Sequence, residues 1–127
     1  MNELDIIKKK IFVIRGIEVM IDRDIAELYE VKTARLNEQV KRNPKKFPNR
    51  YMFQLSEEEA KSISRSQNAT LKQGHNIKYL PYVFTEQGVA MLSGILTSDK
   101  AIEINIMIMD AFVEYSVISH NNPTQSL

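Results

Sequence analysis

Between Ala101 and Val113 the chain offers a helix with almost no side that water would accept. Ala101, Ile102, Ile104, Ile106, Met107, Ile108, Met109, Ala111, Phe112 and Val113 are apolar, and at 100° per residue they spread nearly all the way round. Such a helix is central to a core, or it is shared between a core and another chain. With Ser98 as its cap it is expected to run from Asp99 to about Ser119. A chain of 127 residues is long enough for one core and short for two. One face of this helix is expected to lie in the core. The other, with Ile102, Ile106, Met109 and Val113, is assigned to a homodimer contact. The most apolar window, Ile102 to Met109, falls well short of the roughly 20 residues that span a bilayer.

Other function classes fall away on composition. There is no cysteine, which removes disulfides, thiolate metal sites and cysteine nucleophiles and suits a cytoplasmic protein. The start, MNELDIIKKK, places acids first and has no apolar run behind its lysines, unlike a signal peptide. His75 and His120 lack a second histidine or carboxylate at ligand spacing, so no metal and no cofactor are expected. Ser66, Ser93 and Ser116 stand in no nucleophile-elbow context, and the expectation is a protein without catalytic residues.

The net charge is only +1, but it is unevenly placed. Residues 31–50 hold Lys32, Arg35, Lys41, Arg42, Lys45, Lys46 and Arg50 against Glu38 alone, a surplus of +6. Residues 61–80 add Lys61, Arg65, Lys72 and Lys78 with no acid, whereas residues 81–127 carry one lysine and five acids. This distribution fits a protein with a polyanion-binding face, or one with two solvated lysine-rich surfaces.

Along the chain, IFVIRGIEVMI reads as two short strands turned at Arg15-Gly16. Asp22 is expected to cap a helix over RDIAELYE and Thr33 a second one over ARLNEQVKRN, stopped near Asn43 by Pro44. YMFQL reads as a strand. Ser56 and Glu59 form a capping box for the helix that follows. Residues 65–80 read as a loop, Tyr82–Phe84 as a strand, and Thr85 as the cap of a helix reaching about Leu96.

The two helices within residues 22–43, joined by about three residues, match the helix-turn-helix plan. Ala26 permits a close crossing, Val31 plugs the angle, and Leu36 and Val40 seat the second helix. Opposite that pair lie Ala34, Glu38, Lys41 and Arg42, with Arg35 and Asn37 beside them and Thr33 at the start. Ala34 can meet a thymine methyl, Arg35 can fork to guanine, and Glu38 can accept from cytosine. Lys41, Arg42, Lys45 and Lys46 suit phosphates, and Arg65, Lys72 and Lys78 are added as further DNA contacts. A structural hairpin with a solvated basic face has the same spacing.

Three stretches together resemble a known family. They are IRGIEVMIDRDIAELYEVKTARLNEQVKRNPKKFP, then YMFQLSEEE with RSQNAT, then YLPYVFTEQGVAMLSGIL with AIEINIMIMDAF. Over about residues 11–115 they resemble the phage antirepressor-type open-reading-frame-six N-terminal domain, a relative of KilA-N domains. The resemblance implies DNA binding in phage or prophage regulation, and a long final helix that closes the domain. Glu30 stands where the family generally has glycine, and KQGHNIK is less basic than the family's loops.

The expected architecture is α+β, a small sheet with a winged-helix-like helix-turn-helix and a long C-terminal helix. YMFQL and YVF would pair as a wing around a helical insertion. Residues 1–10 are read as an N-terminal extension, 11–119 as a single DNA-binding domain and 120–127 as a flexible tail. The expected partners are double-stranded DNA and a second copy of the chain. The rival reading is a protein-interaction module, an antirepressor that binds a repressor protein through the C-terminal helix without touching DNA.

Overall fold

The computed structural model of the chain describes residues 2–67 and 79–120, the side chains of 65–67 and 117–120 excepted. Its elements are α1 (Glu3–Lys8), β1 (Ile11–Ile14), β2 (Ile17–Ile21), α2 (Asp22–Tyr29), α3 (Thr33–Lys41), β3 (Met52–Gln54), α4 (Glu57–Gln67), β4 (Tyr82–Thr85), α5 (Glu86–Leu92) and α6 (Asp99–His120). One 3₁₀ turn, Pro44–Lys46, follows α3. The fold is α+β, as expected.

The four strands form one antiparallel sheet in the order β1-β2-β4-β3. β3 does pair with β4 around the inserted α4, but β4 also pairs with β2 and is therefore a central strand. A free wing would have left β4 an edge. The registers Ile11↔Met20, Met20↔Phe84 and Met52↔Phe84 align one row of side chains across the sheet. Since side chains alternate along a strand, the neighbouring row of Ile21, Val83 and Phe53 points the other way, with Val19 on the same face. The first row joins a core with α2, α3, α5 and α6. The second packs on Leu55, Ala60 and Ile63 beneath α4. Both faces of the sheet are thus covered, and among the described helices α4 is the one that covers the second.

Local chemistry explains the corners. Ile14 and Ile17 pair directly, so Arg15 and Gly16 form a two-residue turn with φ of 55° and 74°, the type I′ geometry that matches strand twist. Arg15 is held in this uncommon conformation from outside. Its guanidinium donates to Glu59 at 2.9 and 3.0 Å and lies 4.3 Å from the centre of the Phe53 ring. The Ser56–Glu59 capping box forms in both directions, at 2.8 and 3.2 Å. Thr85 Oγ1 accepts from the Gly88 amide, and a side chain at Gly88 would collide with the Tyr51 carbonyl.

Several boundaries differ from the sequence reading. Asp22 and Thr33 are the first residues of their helices, and the cap positions belong to Ile21 and Lys32, without a side-chain cap. Asp22 is drawn into a tertiary contact described below. α5 ends at Leu92 rather than near Leu96, because a turn at Ser93–Leu96 takes the last carbonyls. α4 continues to Gln67, which shortens the loop assigned to 65–80; residues 68–78 lie outside the described residues. Glu3–Lys8, within the stretch read as an extension, is helix α1, and it buries Ile7 in the main core.

α6 is the long final helix. Ala101, Ile104, Ile108, Ala111 and Phe112 are buried. Asn105 sits among them and donates to the Tyr29 hydroxyl at 2.8 Å and the Val89 carbonyl at 3.1 Å, tying α6 to α2 and α5. Burial pushes the Tyr29 hydroxyl up to about 12, although the bond from Asn105 opposes the rise.

Candidate nucleic-acid interface

The site is built on α2 and α3. Ile25, Ala26 and Tyr29 bury one side of α2, and Leu36 and Val40 bury one side of α3, all in the same core. Between them the chain reverses at Glu30, which takes a left-handed conformation with φ 60° and ψ 41°. A glycine would adopt that conformation without strain. Here a glutamate does so, with its amide bonded to Glu27 and the next amide, that of Val31, to Ala26. Val31 then packs half-buried against the core, in the angle assigned to it.

Because Leu36 and Val40 face inward, Lys32, Ala34, Arg35, Glu38, Lys41 and Arg42 are left exposed, and Lys45, Lys46 and Arg50 follow, also exposed. Glu38 pairs with Arg42 at 2.7 Å one turn on, which neutralises one cation of the face. Among the described residues, no carboxylate stands within ion-pair distance of Arg35, Lys41, Lys45 or Lys46. The result is an outward strip with a small apolar residue at Ala34 and uncompensated positive charge at the end of α3 and in the turn beyond it.

Asn37 is different. It is half-buried, and its amide donates to Asp22 Oδ2 at 2.8 Å and to the Tyr79 hydroxyl at 2.7 Å. That hydroxyl donates to the same Asp22 oxygen at 2.8 Å, and the Tyr82 amide reaches it at 3.4 Å. Asp22, only 1% exposed, has no cation partner among the described residues. Its charge is met by these donors, by the Arg23 amide at 2.7 Å and by the positive end of α2. The carboxylate also raises the Tyr79 pKa, after the larger effect of burial. Asp22 and Asn37 therefore tie α2, α3 and the entry to β4 together. Sequence reasoning gave Asp22 a cap and Asn37 a place on the outer face. It had no signal for a contact with Tyr79, 57 residues from Asp22.

Among the described residues, Thr33, Ala34, Asn37, Glu38 and Lys41 form one wall of a groove whose other wall is Leu55, Ala60, Ile63, Tyr79 and Pro81. Arg65 lies on α4, but its side chain is outside the described residues, as are Lys72 and Lys78 altogether. No group of three or more histidine or acidic side chains that could hold a metal occurs among the described residues. No described helix is long and apolar enough to cross a membrane.

Set against known proteins, residues 9–95 match the family model of the ORF6N domain. No curated protein and no solved structure matches.

Proposed function

The chain belongs to the ORF6N domain family, and from that premise we propose that it is a double-stranded DNA-binding module of phage or prophage gene regulation. α2 and α3 serve as a helix-turn-helix, and α3 enters the major groove. The observation that carries this reading is the outward side of α3. Leu36 and Val40 are consumed by the core, while Ala34, Arg35 and Lys41 are exposed without an ion-pair partner among the described residues. Arg35, in the first turn, is assigned to a base edge. Lys41, Lys45 and Lys46 are assigned to phosphates, and Arg42 joins them when its pair with Glu38 opens. Thr33 and Ala34 flank the base contact, and Asn37 acts as a strut that holds α3 at its angle. The module works by binding alone.

A titration of duplex DNA against salt tests the proposal. Affinity should fall steeply as salt rises, and Lys41→Ala should flatten the slope by about one unit on every duplex. Arg35→Ala should cost about 1–3 kcal/mol on a preferred site and much less on random sequence. Binding that ignores salt, or that survives both changes intact, would remove α3 from the interface.

A further inference from the structure

α6 turns to solvent a stripe that its own core does not need. Ile102, Ile106 and Val113 are 49%, 58% and 54% exposed, and Met109 between them is half-buried. Their spacing along the chain is four, three and four residues, the alternation of a coiled-coil seam. In heptad terms Ile106 and Val113 take a, and Ile102 and Met109 take d. The flanks of the seam are unequal. The e positions, Glu103 and Asp110, are exposed acids, whereas the g positions, Asn105 and Phe112, are buried in the protein's own core.

We propose that this seam is the contact between two copies of the chain, with their α6 helices side by side and parallel. The acidic flank selects the arrangement. In an antiparallel pair the e positions face each other across the seam. Glu103 of each copy would then oppose Asp110 of the other, placing four carboxylates on one side of a short contact. In a parallel pair the e rows of the two copies lie on opposite sides of the seam, which keeps these carboxylates apart. The seam covers about 17 Å of helix, so the contact is small and the association is concentration-dependent. The dimer does not depend on the DNA reading; it would duplicate whatever α3 binds.

The chain has no cysteine, so a single introduced thiol reports orientation. Sedimentation of the whole chain should show a monomer–dimer equilibrium. Ile106→Glu should weaken it by about 100-fold or more, since a carboxylate would enter the seam. Melting of that variant at a concentration where both proteins are monomeric should match the parent, because the side chain already faces water. Val113→Cys should cross-link to itself with a short bis-maleimide, the two copies of position 113 being neighbours in a parallel pair. In an antiparallel pair they would be offset by about 17 Å along the axis, and only a mixture of Ile102→Cys and Val113→Cys would link. That second pattern overturns the proposal, as does a parent protein that stays monomeric to high concentration or a dimer indifferent to Ile106→Glu. If Ile106→Glu melts early, the cross-linking pattern decides by itself.

Discussion

α3 and α6 both rest on the same core, yet they turn opposite chemistry to the solvent. α3 gives the core Leu36 and Val40 and shows water Ala34, Arg35, Glu38, Lys41 and Arg42. α6 gives the core Ile104, Ile108, Ala111 and Phe112 and shows water Ile102, Ile106 and Val113 beside Glu103 and Asp110. A charged outer face is already satisfied by water and can be spent on a ligand of opposite charge. Exposed aliphatic surface forfeits about 25 cal/mol for each Å² left uncovered. The two helices thus illustrate two kinds of free surface, one stable as it stands and one that gains from being covered.

The largest effects should come where the helices are alike. Leu36→Ala and Ile108→Ala each empty a fully buried position and should each lower stability by about 2–5 kcal/mol in urea unfolding. A loss confined to one of the two would mean that the helices do not share a cooperative core. Next is Asn37→Ala, which takes a donor from the buried Asp22 carboxylate and should cost about 1–3 kcal/mol. Were stability unchanged while DNA affinity dropped, Asn37 would be a reader and not a strut, and the contrast between inner and outer faces of α3 would have to be redrawn.

A gain is expected at the turn that sets the angle of α3. Glu30→Gly relieves a left-handed residue and should add about 1 kcal/mol. Its exposed pair with Lys100, at 3.3 Å, offsets little of that. No gain would show that the hydrogen bonds of the turn already compensate the strain. The smallest effect should lie far from both helices, at Glu59. The Arg15 guanidinium, helped by the Ser56 amide, holds this carboxyl at about 2. A carboxyl with a depressed pKa adds stability above its usual value, and loses it as pH falls toward 2. The parent should therefore be slightly more stable than Glu59→Gln at pH 7, and the difference should vanish near pH 2. A constant difference across that range would assign the benefit to the capping box and not to the charge.

Much of this was legible in the residues. A β-branched run broken at Arg15-Gly16 located β1 and β2, YMFQL and Tyr82–Phe84 were legible as β3 and β4, and the Ser56–Glu59 spacing located the start of α4. The spacing of Leu36 and Val40 separated the inner from the outer face of α3. Glu30 was recognised as the residue out of place in its turn, and it does take the positive φ that glycine serves. These features are local, so side-chain chemistry and a period of 2 or 3.6 suffice to determine them. What only the tertiary structure decided is non-local. β4 became a central strand because β2 was free to pair with it. Asp22 left the capping role because Asn37 and Tyr79, distant in sequence, arrive with donors for its carboxylate. In α6 composition showed only that apolar residues encircle the helix. Which of them face water was settled when α1, α2 and α5 covered the other side, because burial depends on neighbours that no single segment encodes.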